Sequence, residues 1–352
     1  MHVRRTKHRG RFSQFAVAAA KLAIEDSGLV LANEIAERTM VCLGTSAHGI
    51  ADVYETGLAA LQKDGVTGIP VMTGIEYAAH AASGHVSVEL GIKGQAMSLA
   101  SACVSGVDAA QWAAAEVAAG RASVVLAGGA EAPLGSMCFA AFCASRSLSS
   151  YNSPPVKGSR PYDRDRCGFV LGEGAAIYVV EEFEHALARD ATIYAEILGF
   201  AAGNEGGYGN RIDAAEIALA DAIRSALIRA STNRSDIDYV NAHGNALPDY
   251  DVVETVALKR AFGPIAYNLP VSSIKSMIGH ALGAASAFQI AATCLSLRDQ
   301  MIPPTINLDT PDPDCDLDYV AHRARDIRLR NALINAHAMG GTHSVLILGR
   351  PK

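Results

Sequence analysis

Gln95-Ala-Met-Ser-Leu-Ala-Ser-Ala-Cys103-Val-Ser-Gly106 is a short apolar run that breaks into small residues around one thiol and continues into the Ala-rich stretch Val107 to Ala119. The pattern predicts a strand, a tight turn and a helix, with the Cys103 sulfur at the helix N-terminus. Unpaired N–H groups in a first helical turn, together with the helix dipole, stabilise an anion, so a thiol placed there gains thiolate character. The ordinary alternative is a small, buried, inert cysteine.

Two further segments favour chemistry. Asp238-Tyr-Val-Asn-Ala-His243-Gly244 reads as a short strand that delivers a histidine into a Gly-containing loop. Val271-Ser-Ser-Ile-Lys275-Ser-Met-Ile-Gly-His280 does the same with a lysine and a second histidine. In an open α/β sheet, loops at the C-terminal ends of strands converge on one crevice. A thiol with two imidazoles suits acyl transfer: one nucleophile, and neutral N–H donors that polarise a second carbonyl. His48, His80, His85, His185 and His322 read instead as satisfied core or cap residues.

Working outward, the first half shows strand patterns at Met40 to Gly44, Gln95 to Ala100, Ser123 to Gly129 and Gly174 to Glu181, with a helix from Phe12 to Ser27 and another after Cys103. The second half repeats the order: Tyr239 to Ala242, Pro270 to Ile274, a small-residue helix from Leu282 to Leu297, then Ala332 to Asn335 and Ser344 to Leu348. Both halves read β-α-β. Short apolar runs with little alternation suit strands buried on both faces.

At 352 residues, 50% hydrophobic and 19% charged, the chain is long enough to bury a large core and unlike a disordered or fibrous protein. Its net charge of −6 gives no general support for nucleic-acid or anionic-membrane binding. Seven cysteines without a CxxC pair or finger spacing suit free thiols in a reducing compartment and no metal. No apolar run of membrane-spanning length and no secretory h-region is present, so a cytoplasmic location is expected.

These blocks resemble the condensing enzymes, and among them the β-ketoacyl-acyl carrier protein synthases of the type II elongating kind. The resemblance extends through Arg160-Pro-Tyr-Asp-Arg-Asp-Arg-Cys-Gly-Phe-Val-Leu-Gly-Glu-Gly174, Asn241-Ala-His-Gly244, Pro303-Pro-Thr-Ile-Asn-Leu308 and Gly340-Gly-Thr342. It covers nearly the whole chain. The Cys-His-His set separates it from thiolases, which use a second cysteine, and from initiating synthases, which carry Asn in place of one His.

The resemblance implies an α/β, thiolase-like fold, with duplicated β-α-β halves in five layers, α-β-α-β-α. It places the nucleophile half at 1–182 and the His/Lys/His half at 183–352. It implies an acyltransferase that performs decarboxylative Claisen condensation in fatty-acid or polyketide synthesis. Cys103 resembles the nucleophile that takes an acyl chain from a carrier-protein phosphopantetheine thioester. His243 and His280 resemble the donors that stabilise the enolate left when malonyl-carrier protein loses carbon dioxide. Lys275 resembles the family's buried lysine, and Glu254 its charge partner. The oxyanion hole would use the Cys103 N–H and an N–H from the Ala338 to Thr342 loop, where Met339, Gly340, Gly341 and Thr342 would meet substrate. Phe142 and Phe169 are candidates for the acyl pocket.

The implied cofactor inventory is none bound, with phosphopantetheine carried by the partner acyl carrier protein. The implied assembly is a homodimer, with no nucleic acid or membrane partner. Arg4, Arg5 and Lys7 belong to a basic N-terminal cluster where similar synthases present positive charge to the acidic carrier.

Three departures accompany the match. The family opens with a strand that this chain lacks, so a gap inside the first sheet is expected. The two threonines that follow the first His in the family are replaced within Asn245-Ala-Leu-Pro248; Asn245 can bond an amide and Leu247 cannot. The family's Gly-Phe-Gly-Gly-Thr-Asn loop reads Ala338-Met-Gly-Gly-Thr-His343. The alternatives to a synthase are a non-catalytic, chain-length-setting partner subunit and a thioester hydrolase. Retention of Cys103 opposes the first, and a lysine beside two histidines suits decarboxylation better than hydrolysis.

Overall fold

The computed structural model describes residues 9–206 and 215–351. Arg4, Arg5 and Lys7 lie outside them. The chain divides into two compact units. One is drawn from Met1–Cys143, Gly172–Thr192 and Ala281–Phe288, the other from Ala144–Leu171, Ile193–His280 and Gln289–Lys352.

In the first unit, α1 (Arg11–Ser27) precedes β1 (Thr39–Gly44), α2 (Ala81–Leu90), β2 (Ala96–Leu99), α3 (Ser105–Ala118), β3 (Val124–Glu131) and α4 (Ser136–Ala144), whose last residue belongs to the second unit; β4 (Gly174–Glu181) completes the sheet. The strand order is β2-β1-β3-β4, with β1 parallel to both neighbours and β4 antiparallel to β3. Alternate side chains enter two cores. Val41, Leu43, Val124 and Leu126 pack with Phe12, Ala16 and Val17 of α1 and with Val86 of α2. Cys42, Val125 and Ala127 pack with Ala109 and Ala113 of α3. Strands covered on both faces lose the polar alternation of a half-exposed sheet, which explains their continuously apolar sequence.

The expected gap inside this sheet is not found. β1 and β3 pair directly over six residues, from Thr39↔Val124 to Gly44↔Gly129. The second unit has the order β5-β11-β10-β6-β7, built from β5 (Glu196–Asn204), β6 (Tyr239–Asn241), β7 (Val271–Ser272), β10 (Asn331–Ala338) and β11 (Thr342–Gly349). Relative to it, the position without a counterpart in the first sheet, among the described residues, is the edge beyond β4 and not an interior one. An edge strand can be absent without breaking the ladder of the others.

The second unit buries α5 (Ala215–Arg229) and α6 (Pro248–Phe262) against one sheet face, through Leu219, Ile223, Leu258 and Phe262 meeting Val240, Leu333, Val345 and Ile347. The helix α7 (Ala285–Asp299) contributes its first turn to the first unit and the remainder to the second. Its buried Gln289 donates through Nε2 to the carbonyls of Asn241 (3.0 Å), Ala242 (2.9 Å) and Asn335 (3.1 Å), while Asn241 Nδ2 donates to Thr293 Oγ1 at 3.1 Å. These bonds fasten the C-terminal ends of β6 and β10 to the helix. A two-stranded ribbon, β8 (Met301–Ile302) with β9 (Arg325–Asp326), lies outside both sheets.

Candidate active site

In the second unit, β6 ends at Asn241 and the chain turns through His243, with Gly244 at φ +34°. A Cβ on Gly244 would lie 2.6 Å from both Ser273 Cβ and Tyr162 Oη, so the turn is packed from two sides. The His243 peptide is held at both ends. Its N–H donates to Glu254 Oε1 at 2.7 Å, and its carbonyl accepts from Lys275 Nζ at 2.6 Å. Lys275 and Glu254, expected as mutual charge partners, both act on this one residue.

Glu254 is fully buried and collects donors. Gly244 N–H reaches Oε2 at 2.9 Å, Tyr162 O–H reaches Oε2 at 2.7 Å, and Asn335 Nδ2 reaches Oε1 at 2.5 Å. A buried carboxyl oxygen is tolerated where donors fill its lone pairs. Tyr162 is itself stacked on Tyr319, with ring centroids 3.7 Å apart.

The imidazoles form a cluster that β6, β10 and β11 assemble together with the segment after β7. His243 meets His280 edge to face, with centroids 5.4 Å apart, and His337 at 4.1 Å. His337 lies 5.8 Å from His343, its cross-strand partner in the β10–β11 hairpin. Phe169 covers His280 at 5.1 Å, and the His280 N–H is fixed on the Val170 carbonyl at 2.7 Å. Burial, then the Lys275 charge, holds His243 and His280 well below the usual imidazole range. His337 is lowered to about 3 by burial and then Lys275, and His343 to about 3 by burial and then His337. All four rings are therefore neutral near pH 7.

The proton on His243 can be placed. The main-chain N–H of His337 approaches its Nδ1 at 3.4 Å, and the Asn245 amide nitrogen lies 3.3 Å from its Nε2. A neutral ring has one lone pair to offer. The backbone donor cannot turn and a side-chain amide can, which assigns Nδ1 as acceptor and Nε2 as the N–H donor. In the orientation seen, Asn245 Oδ1 accepts from the Leu247 N–H at 3.0 Å, a bond that the amide gives up when it turns its oxygen toward the His243 Nε2–H.

In the first unit, Cys103 sits in the single 3₁₀ turn Ala102–Val104, which runs directly into α3. Ala102, immediately before it, has φ +56°, the left-handed conformation that a side chain disfavours. Ser105 closes this turn: its Oγ accepts the Ser101 N–H at 2.9 Å and lies 2.6 Å from the Ala102 carbonyl and 3.0 Å from the Thr45 carbonyl. Gly44 and Gly106 allow the necessary approach. A Cβ on Gly44 would lie 2.4 Å from Ser105 C, and one on Gly106 2.3 Å from Ala287 N. Fully buried Glu131 at the end of β3 accepts from Thr45 Oγ1, Ser46 N and Ala47 N, and from Gly283 N at 3.1 Å.

His243, His280, Lys275, Glu254, Asn245 and Phe169 are thus brought together within the second unit, with Gly340, Gly341 and Thr342 at the β10–β11 turn and Met339 exposed beside them. Cys103 and the half-buried Phe142 belong to the first unit. Sequence reasoning missed His337, Tyr162 and Asn335. Its available signal was a second histidine six residues before His343 across a Gly-Gly turn.

Residues 1–186 match the β-ketoacyl synthase N-terminal domain model, and residues 194–309 match the β-ketoacyl synthase C-terminal domain model. The chain is 40% identical over 339 residues to a 3-oxoacyl-[acyl-carrier-protein] synthase 2 of Coxiella burnetii, covering 96% of this chain and 82% of that one. It is 39% identical over 350 residues to the tetracenomycin polyketide synthase ketoacyl synthase alpha subunit of Streptomyces glaucescens, covering 97% and 82%. Among solved structures, it superposes with TM-score 0.93 and 33% identity on a chain of a type II polyketide synthase acyl-carrier protein in complex with its ketosynthase, covering 98% of this chain and 86% of that one. The ishigamide ketosynthase/chain length factor gives 0.89 and 33%, covering 98% and 83%. The fold is thiolase-like.

Proposed function

The chain belongs to the β-ketoacyl synthase family, and on that footing we propose that it is a 3-oxoacyl-acyl carrier protein synthase, an acyltransferase of fatty-acid or polyketide synthesis. The carrying observation is the buried pair of neutral imidazoles, His243 and His280, with His243 held as the Nε2–H tautomer.

The Cys103 thiolate attacks the thioester carbonyl of an acyl-carrier protein. The carrier's thiolate leaves, takes a proton, and an S-acyl Cys103 remains. Malonyl-carrier protein then loses carbon dioxide, and the electron pair of the broken C–C bond becomes an enolate. N–H donors on His243 and His280 stabilise its oxygen without supplying a full proton, which suits rings too weakly basic to carry charge. The enolate carbon attacks the S-acyl carbonyl, the C–S bond breaks, and Cys103 regains its proton from solvent. Lys275 and Glu254 position His243 and touch no reacting atom.

Acyl carrier protein is the proposed partner, because one structural relative is a ketosynthase captured with its carrier. The chain itself holds no organic cofactor in this scheme, and the phosphopantetheine arrives on the carrier. A homodimer, docking through Arg4, Arg5 and Lys7, and the functional division at residue 182 belong to the same proposal. The catalytic reading is preferred to a chain-length-setting subunit because Cys103 and both histidines are present together.

The test is intact-protein mass after mixing with a medium-chain acyl-carrier protein, beside Cys103→Ala, followed by malonyl-carrier protein. The expected result is a mass gain that needs Cys103 and disappears as a ketoacyl product forms. A folded protein that never acquires the acyl group would overturn the reading.

A further inference from the structure

The turn between β10 and β11 is clamped by the end of β5. Gly340 and Gly341 both have positive φ, +97° and +81°, and the Gly341 N–H closes the turn on the Ala338 carbonyl at 3.1 Å. Glu205 holds it in three ways. Its N–H donates to the Gly341 carbonyl at 2.9 Å. Its side chain lies against Gly341, where an added Cβ would be 3.1 Å from Glu205 Cβ. Its Oε1 receives His343 Nε2 at 3.0 Å. Next to it, Asn204 Nδ2 donates to Thr342 Oγ1 at 3.1 Å.

The His343–Glu205 bond is buried, with side-chain exposures of 1% and 6%. In a neutral His343, Nε2–H donates to the carboxyl, and the bare Nδ1 is buried without a hydrogen-bond partner among the described residues. His343 is thus held from one side only. Across the hairpin it pairs with His337, whose N–H fixes the His243 tautomer. The turn therefore lies between a latch at one strand and the candidate catalytic imidazole at the other.

We infer that Glu205 and His343 form a latch that holds the Met339 to Gly341 turn in place, which makes Glu205 a positioning residue. The kinetic part of this inference rests on the synthase reading, in which this turn supplies an oxyanion N–H. A donor displaced by a loosened turn is lost mainly from the transition state, so kcat falls and KM does not.

The experiment compares Glu205→Ala, Glu205→Gln and His343→Asn in the full chain by hydrogen exchange at residues 338–343 and by condensation kinetics. Glu205→Ala and His343→Asn are expected to speed exchange there by about tenfold or more, the effect of losing one buried hydrogen bond. They are expected to lower kcat by a similar factor with KM nearly constant. Glu205→Gln keeps an acceptor for His343 Nε2–H and is expected to restore both. Unchanged exchange in Glu205→Ala, or a Gln variant as loose as the Ala variant, overturns the latch. Exchange is read on resting protein, so its outcome stands whether or not the wild type condenses. A loosened turn with kcat unaltered in an active synthase overturns the positioning role.

Discussion

Lys275 Nζ donates to the main-chain carbonyl of His243 at 2.6 Å, so a buried ammonium bonds the backbone of the very residue whose ring burial first, and then this charge, holds well below the usual imidazole range. Lys275→Met, which keeps the volume and removes the charge, leaves that carbonyl without its donor at a cost of about 1–3 kcal/mol. It also removes a charge that lowers His243, His280 and His337 together. Their basicity is expected to rise and, on the proposed synthase activity, the acid limb of malonyl decarboxylation to move to higher pH. A pH–rate profile checks this; an acid limb that stays in place would mean the Lys275 charge does not govern these rings.

Glu254→Gln keeps one oxygen where Glu254 offers two. Four donors converge on that carboxyl, from His243, Gly244, Tyr162 and Asn335. An amide oxygen serves two of them and its NH2 opposes the others, so about 2 kcal/mol or more of stability should be lost. Denaturant titration measures it, with Tyr162→Phe as the smaller companion change.

Stability should fall on the acid side through the histidines. His337 and His343 are lowered in the folded state to about 3, against about 6.5 unfolded. Between those values the unfolded chain binds more protons, so stability falls as pH falls from about 6.5 toward 3. Glu131 and Asp251, both raised by burial to about 7, act in the opposite sense and lose stability as pH rises toward 7. The urea midpoint at pH 5 relative to pH 7.5 should therefore drop less in His343→Asn than in the wild type.

Gly106→Ala places a Cβ 2.3 Å from the Ala287 main-chain nitrogen, where no side chain can yield. The start of α3 must move, and a loss of roughly 1–3 kcal/mol or more is expected. Alkylation of Cys103 should slow in the same variant, because Gly106 sits three residues from the thiol. Thermal melting and peptide mapping of the alkylated protein read the two effects.

The thiols should separate by environment. Burial pushes Cys42, Cys294 and Cys315 up to about 12, so these three should resist iodoacetamide at pH 7.5. Burial also raises Cys167, but hydrogen bonds from Ser149 and Ser150 outweigh it and leave the thiol lowered. Cys167 and the exposed Cys143 should react. Modification of Cys42 at a rate like that of Cys143 would contradict the packing of the first unit.

Much of this was legible in the residue order. The strand Gly174–Glu181 and the helix ending at Ser27 fall where the pattern put them, because local periodicity and a following glycine carry that information. The strands β6 and β7 came out shorter than their apolar runs, since a ladder extends only as far as its neighbour pairs. The strand β5 escaped notice: its residues alternate weakly, and its place beside β11 is a tertiary choice.

What the sequence determined by itself was the placing of Cys103 and His243 just past strand ends, and of His280 in the segment that follows a third strand, because a strand followed by small residues and a helix is a local code. What only the tertiary structure decided was which groups meet. Tyr162, Glu254 and Asn335 come from segments 81 or more residues apart to hold one peptide, and His337 reaches His243 across 94 residues. Hydrogen bonding between such distant residues depends on register and burial, which no local spacing encodes. The role of Lys275 is of the same kind: the family resemblance implies Glu254 as its charge partner, and the folded packing brings its ammonium onto the His243 carbonyl.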